Sequence, residues 1–148
     1  MKIGILSDTH GTIPRKFLNE MKSCDYLIHA GDIGTEKCCN ILKSLEIPIY
    51  MIRGNCDLGQ WASYLPETLS FHIDGISFYL LHNLSNLSYL YEEPDIIIFG
   101  HTHQPASYES RGRLYLNPGS AGRGRTAGNS MAILTIENQK PACRFLTA

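Results

Sequence analysis

Several buried apolar runs in this sequence are followed directly by side chains that bind metal ions. Asp8 and His10 come after the first run, and His101 and His103 come after the run at residues 96–99. Alternate residues of a strand share a face, so each Asp-x-His or His-x-His pair can grip one ion. Together the runs deliver seven nitrogen or oxygen ligands, which are Asp8, His10, Asp32, Asn55, His82, His101 and His103. This number exceeds one tetrahedral site and suits two ions that share a carboxylate.

Asp32 is the natural bridge between two such ions, because it is central in chain order and stands alone at its strand end. Gly31, Gly54 and Gly100 precede three of the ligands, where the absence of a Cβ atom allows a sharp turn and a close approach to an ion. The set needs no thiolate, and its mixture of nitrogen and oxygen suits Mn²⁺, Fe²⁺, Zn²⁺, Ni²⁺ or Co²⁺. We therefore predict two divalent transition-metal ions as cofactors, with Mn²⁺ first among them.

The order of the predicted elements explains how these ligands can meet. The first half of the chain reads as three strands, at residues 2–7, 26–30 and 48–52, separated by two helices. Pro14 begins the first helix and Thr35 caps the second. Right-handed crossovers make the strands parallel, so their carboxyl ends lie at one edge of the sheet, where open α/β sheets bind ligands.

The second half predicts hairpins in place of crossovers. Asp74-Gly75 separates apolar runs at residues 68–73 and 76–81, which is a strong hairpin signal. A short helix at 84–92, a buried strand at 95–99 and two more hairpins at 107–116 and 131–146 follow. We therefore predict an α/β fold in which helices flank two packed sheets, within a single domain that spans residues 1–148.

Composition restricts the classes of function. The chain has 148 residues, of which 43% are hydrophobic, and this is enough for a sizeable core. Its formal net charge of −1 gives no overall electrostatic attraction to an anionic membrane or a long nucleic acid. Nucleic acid is therefore expected only as small fragments. No secretory segment is recognised, and five cysteines without a C-x-x-C pair fit a reducing cytoplasm. The sequence leaves a homo-oligomer open.

The predicted ligands lie within six short motifs. These motifs are Asp8-Thr9-His10-Gly11, Gly31-Asp32, Gly54-Asn55-Cys56-Asp57, Leu81-His82-Asn83, Gly100-His101-Thr102-His103 and Asn117-Pro118-Gly119-Ser120. In this order they resemble the calcineurin-like metallophosphoesterase superfamily, and more closely its small bacterial and archaeal phosphodiesterase branch. The resemblance implies a four-layer α/β/β/α sandwich of two mixed sheets flanked by helices.

The resemblance also divides the ligands between two ions. It assigns Asp8, His10 and His103 to the first ion and Asn55, His82 and His101 to the second. Asp32 bridges the two ions in this scheme. Asp32 and Asn55 are therefore the candidate catalytic residues.

Two positions depart from the pattern of the superfamily. Much of the superfamily has a histidine that protonates the leaving group where this chain has Cys56, although the small phosphodiesterase branch commonly shows the same cysteine. Relatives usually carry glycine where this chain has Asn83, which leaves the turn beside the second ion in question. With Cys56 in place of histidine, we expect esters with acidic leaving groups to be hydrolysed faster than alkyl esters.

The resemblance implies hydrolysis of a small phosphate diester. Two divalent ions, two carboxylates and a bridging hydroxide leave about one positive charge, which attracts a diester anion. The ions would lower the pKa of the bridging water and supply the hydroxide nucleophile for in-line attack. Cyclic nucleotides, nucleic-acid fragments and other small diesters all remain candidate substrates.

Three further residues, Cys56, Arg123 and Arg125, are the candidate substrate-binding residues. Arginine suits phosphate because its planar fork donates two parallel hydrogen bonds. A solvated surface loop is an equally good interpretation of the two arginines. Cys56 fits an inert small side chain near the site better than a redox role, because no second cysteine pairs with it.

Two other functions remain as alternatives. The superfamily includes a trafficking-complex subunit that has lost metal ligands, so the chain could be a non-catalytic interaction scaffold on the same fold. The intact Asp32 and Asn55 argue against that alternative. A phosphomonoesterase is the second alternative, and it would need space and positive charge for a dianion.

Overall fold

A computed structural model describes residues 1–90, 92–124 and 128–148 of the chain. Its elements in chain order are β1 (Lys2–Leu6), α1 (Arg15–Met21), β2 (Tyr26–His29), α2 (Glu36–Ser44), β3 (Ile49–Met51), β4 (Thr68–Ile73), β5 (Ile76–Leu81), β6 (Ile96–Ile98), β7 (Ala106–Ser110), β8 (Arg113–Asn117), β9 (Ser130–Glu137) and β10 (Lys140–Thr147). Short 3-10 helices cover Gln60–Tyr64 and Leu84–Asn86. None of the helices within these residues is long and apolar enough to span a membrane.

The first sheet has the strand order β10-β9-β1-β2-β3. Strands β1, β2 and β3 are parallel, as the alternation of strands and helices predicts. Helix α2 begins where the Thr35 side chain accepts a hydrogen bond from the Cys38 N–H, at 3.1 Å. Strand β9 pairs antiparallel with β1, so the carboxyl-terminal hairpin completes a mixed sheet.

The second sheet has the order β4-β5-β6-β8-β7 and is also mixed. Its two hairpins turn at Asp74-Gly75 and Arg111-Gly112, where both residues of each pair have positive φ. This backbone matches the twist of paired strands and explains why Asp-Gly predicts the first hairpin correctly.

Apolar contacts between layers hold the α/β sandwich together. Residues such as Ile5 and Ile28 of the first sheet pack against Phe78 and Ile98 of the second. The opposite face of the first sheet packs on α1 and α2 through a second buried cluster that includes Phe17 and Leu42. The arrangement confirms the predicted α/β sandwich of two mixed sheets and places the carboxyl ends of β1, β2, β3, β5 and β6 beside one another.

The outer face of the second sheet differs from the sequence-based prediction. The helix expected at residues 84–92 is wrong, because only the 3-10 turn Leu84–Asn86 forms and residues 87–90 and 92–95 are irregular. Ser85, Asn86 and Ser88 explain the error, because serine and asparagine side chains hydrogen-bond to nearby backbone and favour turns over helix. Leu84 and Leu87 still pack on the sheet, against a small cluster that includes Ile97 and Phe99.

Candidate metal centre

The predicted ligands converge on one edge of the sandwich. Each follows the carboxyl end of a strand, and the strands come from both sheets. The ligand side chains form a buried group and an exposed group. The inner cluster is Asp8, His10, Asp32, His82 and His103, whose side chains are between 0% and 13% exposed. The outer pair is Asn55 and His101, which are both exposed.

Asp8 lies at the centre of the ligands predicted for the first ion. Its Oδ1 atom is 3.2 Å from His103 Nε2 and 3.7 Å from His10 Nε2. The two Nε2 atoms are themselves only 3.4 Å apart. Two imidazole nitrogens close to one carboxylate oxygen are the kind of ligand group that divalent transition-metal ions prefer.

Asp32 lies between the two predicted ion positions. Its Oδ2 atom is 3.8 Å from His10 Nε2 and 3.2 Å from His82 Nε2. Its Oδ1 atom accepts a hydrogen bond from the Cys56 N–H at 2.8 Å. One carboxylate oxygen of Asp32 thus lies close to predicted ligands of both ions. A residue that bridges two ions must occupy such a position.

The outer pair completes the second group of ligands. His101 Nδ1 and Asn55 Oδ1 lie 3.2 Å apart at the open side of the cluster. His82 reaches the same region from β5, and its Nε2 atom is 3.8 Å from Asp8 Oδ1. The structure therefore brings all seven predicted ligands into one site.

Unsatisfied polar atoms test whether this site fits metal ions. Among the described residues, three buried side-chain atoms have no hydrogen-bond partner, and they are Asp8 Oδ1, His82 Nε2 and His103 Nδ1. Buried polar atoms are nearly always paired, so such a group requires a bound partner. Two of these atoms point at the other ligands, and a pair of buried carboxylates needs positive charge nearby. The residues present fit divalent metal ions.

Hydrogen bonds from neighbouring groups orient the inner ligands. Asp8 Oδ2 accepts from Ser7 Oγ at 2.6 Å and from the His101 N–H at 3.0 Å, which turns Oδ1 towards the histidines. His82 Nδ1 donates to the Ala30 carbonyl at 2.7 Å, so its Nε2 lone pair faces the carboxylates. Hydrogen bonding at the far nitrogen is the usual way in which a metal-binding histidine is held.

Two buried residues, which the sequence analysis did not assign to the site, hold the ligand loops in place by hydrogen bonds. His29 Nδ1 accepts from the Gly31 N–H at 3.1 Å, and its Nε2 donates to Thr9 Oγ1 at 3.0 Å. Asn117 Nδ2 donates to the Gly100 carbonyl at 3.1 Å. These bonds fix the loops that carry the ligands after β1, β2 and β6. Asn117 lies in the last of the six sequence motifs, whereas no local pattern distinguishes His29 from any other buried histidine.

Asp57 holds two of the ligand loops together. Its carboxylate accepts hydrogen bonds from the N–H groups of Ile33 (3.2 Å), Gly34 (2.9 Å) and Gly54 (2.9 Å). Asp57 is buried. It therefore ties the loop after β2 to the loop after β3, which carries Asn55.

Five of the seven ligands have a backbone that is rare for residues other than glycine. The positive φ angles are 54° for Asp8, 46° for His10, 57° for Asp32, 73° for His101 and 63° for His103. Each such conformation costs about 1 kcal/mol and persists only when its surroundings impose it. Backbone strain of this kind clusters at functional sites, so its concentration on the predicted ligands indicates that this edge of the sandwich is a functional site.

The protonation of the inner cluster follows from burial and mutual contacts. Burial acts to raise the pKa of Asp32, but contacts with His82 and the Cys56 N–H outweigh it and lower the pKa to about 2. Burial acts to lower the pKa of His82, but Asp32 and the Ala30 carbonyl outweigh it and raise the pKa. Burial lowers the pKa of His10, which favours its neutral form. A proton on His82 and a metal ion therefore compete for the same carboxylates.

The predicted substrate-binding residues lie around the open side. Cys56 is exposed, and its Sγ atom lies within 4.8 Å of ligand atoms of His10 and Asp32. Burial of the thiol, followed by the Asp32 charge, raises the pKa of Cys56. Arg123 is exposed on the His10 side, and its N–H donates to Ser120 Oγ at 2.8 Å. Arg125 lies outside the described residues.

Comparison with known proteins decides the family. Residues 1–139 match the model of the calcineurin-like phosphoesterase superfamily domain. The chain belongs to this superfamily. It is 35% identical to the probable metallophosphoesterase YsnB of Bacillus subtilis, over 98% of this chain and 90% of that protein.

Two solved structures share the fold over almost the whole chain. An archaeal protein characterised as a phosphodiesterase has a TM-score of 0.80 at 27% identity, and the match covers 99% of this chain and 100% of that one. Vps29 of Entamoeba histolytica, solved in complex with Zn²⁺, has a TM-score of 0.75 at 22% identity, and the match covers 99% of this chain and 98% of that one. The chain is thus a metallophosphoesterase-family protein whose fold also occurs in Vps29.

Proposed function

We propose that the chain is a dinuclear metal-dependent phosphodiesterase. The observation that supports this most directly is the convergence of seven ligands in which buried Asp8 Oδ1 and His82 Nε2 have no hydrogen-bond partner. The archaeal phosphodiesterase that shares the fold supports the choice of a diester as substrate. Mn²⁺ remains the first metal to test, because the ligand set mixes imidazole, carboxylate and amide groups.

The ligands would divide between the ions as the motifs predict. Asp8, His10 and His103 would hold the first ion, Asn55, His82 and His101 would hold the second, and Asp32 would bridge them. Two ions bound there would supply a hydroxide nucleophile at neutral pH and stabilise the charge that develops on the phosphoryl oxygens. The protein itself contributes the positions of the ligands, which the hydrogen bonds of Ser7 and Ala30 fix before substrate arrives.

Arg123 and Cys56 would act on the substrate from the rim. The Arg123 guanidinium can bind a phosphoryl oxygen on the His10 side of the site. Cys56 is a poor proton donor at neutral pH because its pKa is raised. Departure of the leaving group would therefore depend on the acidity of its own hydroxyl, and the rate should fall as the pKa of the leaving alcohol rises.

One assay tests the proposal. The protein is stripped of metal, Mn²⁺, Ni²⁺ or Zn²⁺ is added separately, and hydrolysis of mono- and bis-p-nitrophenyl phosphate is measured. We expect chelation to abolish hydrolysis, an added metal to restore it on the diester, and Asn55→Ala to lower the rate by about 100-fold. Asn40→Ala, at an exposed position on α2, is the matched control and should retain the rate.

Each other outcome has a definite meaning. Activity that survives chelation would exclude metal-dependent catalysis. Hydrolysis of the monoester alone would identify a phosphomonoesterase. No hydrolysis with any metal would favour the interaction scaffold.

A further inference from the structure

A cleft of about 540 Å³ opens beside the outer pair. It shares Asn55, His82 and His101 with the candidate metal centre and extends from there across the second sheet. Its volume lies within the range of pockets that bind small molecules. The cleft is therefore large enough for a substrate group that is attached to a phosphate at the metal centre.

The charges on the cleft wall cancel. Arg53 Nη2 lies 3.2 Å from Glu67 Oε1, so the two charged side chains on the wall pair with each other. The remaining side chains beyond the metal ligands include the hydroxyl of Thr68, the amides of Asn83 and Asn86, and the ring of Tyr79. Such a wall favours an uncharged group with several hydroxyls, and an aromatic ring offers a flat surface for a sugar or base to pack on.

Asn83 has hydrogen-bonding capacity available for such a group. Its Oδ1 atom accepts from the Ser85 N–H at 3.1 Å and from Ser85 Oγ at 2.8 Å. Both lone pairs of this oxygen are thus used within the turn, and within the described part of the chain no group accepts a hydrogen bond from the NH₂, which can donate to a ligand. The Asn83 backbone has a φ of −115°, so glycine is not needed at this position and the asparagine fits without strain.

The absence of the expected helix brings these residues to the cleft. Because the chain after His82 forms only the 3-10 turn Leu84–Asn86, Asn83 and Asn86 both line the cleft. Arg123 belongs to the opposite side, where Ser120 Oγ accepts from its N–H and donates to the Asp8 carbonyl at 2.7 Å. The site therefore has a cationic side near Asp8 and an uncharged polar side near Asn83.

We propose that this cleft binds one alcohol group of the diester, and that this group is uncharged and bears hydroxyls, as the sugar of a nucleoside does. The inference rests on the proposed phosphodiesterase activity and specifies its substrate class. Asn83 is then a specificity-determining residue, which donates hydrogen bonds from its NH₂ group to the substrate.

Three diesters with the same p-nitrophenolate leaving group test the inference. They carry thymidine, p-nitrophenol or choline as the second alcohol. We expect kcat/KM for the thymidine ester to exceed that for the choline ester by about tenfold or more, chiefly through KM, which is the size of effect expected from one or two added hydrogen bonds. A preference for the choline ester, or equal rates for all three, would overturn the inference without affecting the proposed hydrolysis.

Asn83→Asp isolates the role of the amide group. It retains an oxygen for the Ser85 hydrogen bonds but removes the NH₂ donor, and its added charge affects two monoanionic diesters alike. We expect the ratio of kcat/KM for the thymidine ester to that for bis-p-nitrophenyl phosphate to fall about tenfold. Ser85→Ala is the control, because it perturbs the same turn without removing the donor, and its ratio should stay within about twofold. An unchanged ratio in Asn83→Asp, or an equal fall in Ser85→Ala, would contradict the role of Asn83.

A binding measurement separates this inference from the proposed reaction. Thymidine is titrated into chelator-treated protein, and the side-chain amide signals of Asn83, Asn86 and Asn40 are followed by NMR. We expect the signals of Asn83 and Asn86 to shift and that of Asn40, on α2, to stay constant. Absence of any shift at millimolar thymidine would overturn the cleft assignment, whether or not the protein hydrolyses diesters.

Discussion

The inner cluster and the outer pair both consist of metal-binding side chains, but they differ in burial and in the hydrogen bonds that hold them. Inner side chains such as Asp8 and His82 are buried, and they are held by a hydrogen bond from Ser7 to Asp8 and one from His82 to the Ala30 carbonyl. The outer pair is exposed, and Asn55 and His101 contact each other at 3.2 Å. The inner cluster is therefore arranged before any ion binds, whereas the outer pair keeps freedom to adjust to an ion and a substrate. Preorganised ligands bind more tightly, so the first ion should bind more tightly than the second.

The largest effect should come from a methyl group placed against the inner cluster. A Cβ atom on Gly100 would overlap Ser7 Oγ and lie 2.6 Å from Asp8 Oδ2. Gly100→Ala must therefore displace the Ser7 hydroxyl and, with it, the Asp8 carboxylate that accepts its hydrogen bond. We expect binding of the tighter Mn²⁺ ion to weaken by about 100-fold in calorimetric titrations.

Gly112→Ala is the matched control for that substitution. Gly112 has positive φ, and, apart from Arg111 and Arg113, no residue that the structure describes has an atom within 4 Å of the point that an added Cβ would occupy. Alanine there adds backbone strain without a new contact. Its Mn²⁺ affinity should equal that of the unsubstituted protein. Equal affinity in Gly100→Ala would mean that the position of Asp8 does not control the tighter ion.

A somewhat smaller effect should follow from loosening the support of the outer pair. Asp57→Asn replaces an acceptor of three backbone N–H groups by an amide that turns an NH₂ towards at least one of them. We expect the free energy of unfolding to fall by about 2 kcal/mol in urea titrations, because a buried N–H loses its acceptor.

Asp25→Asn provides the comparison for Asp57. Asp25 is exposed and accepts from the Lys2 N–H at 2.8 Å, where water can replace the bond. Its substitution should cost less than about 1 kcal/mol. A similar loss in both variants would show that the contacts of Asp57 have no special structural role.

The smallest effect is a pH dependence that belongs to the inner cluster. His82 must lose its proton to bind an ion, and its pKa is raised because Asp32 and the Ala30 carbonyl outweigh the effect of burial. Affinity for the second Mn²⁺ ion, which His82 is predicted to bind, should therefore be constant above the pKa of His82 and fall about tenfold for each pH unit below it. His10, with its lowered pKa, and Asp32, with a pKa of about 2, add no slope near neutrality.

Titrations with Mn²⁺ between about pH 5.5 and 8.5 measure this slope. His72→Gln, at an exposed position on β4, should leave the slope unchanged. An affinity that does not vary over this range would contradict the competition between the proton on His82 and the ion.

The sequence predicts the convergence of the ligands because it follows from local signals and one topological rule. Asp8, Asp32 and Asn55 each follow one of the three parallel strands of the first sheet, whose carboxyl ends must meet. The turn residues of Asp74-Gly75 likewise specify a hairpin through their backbone preferences alone.

Other features depend on contacts between distant segments and could not be predicted. The bond from His29 to Thr9 joins residues 20 positions apart, and that from Asn117 to Gly100 joins residues 17 apart. The expected helix at 84–92 failed because apolar spacing at its start suits both a helix and a turn that packs on a sheet. Apolar spacing describes burial but does not decide between these two backbones.

The left-handed backbone at five of the ligands determines how glycine substitutions there would change stability. Glycine adopts this conformation without penalty, so a ligand-to-glycine substitution would relieve about 1 kcal/mol of strain at the moment it removes a metal contact. Loss of a ligand at these positions can therefore raise stability. This chain carries aspartate or histidine at all five positions, so it keeps the metal-binding groups together with the strain that glycine would remove.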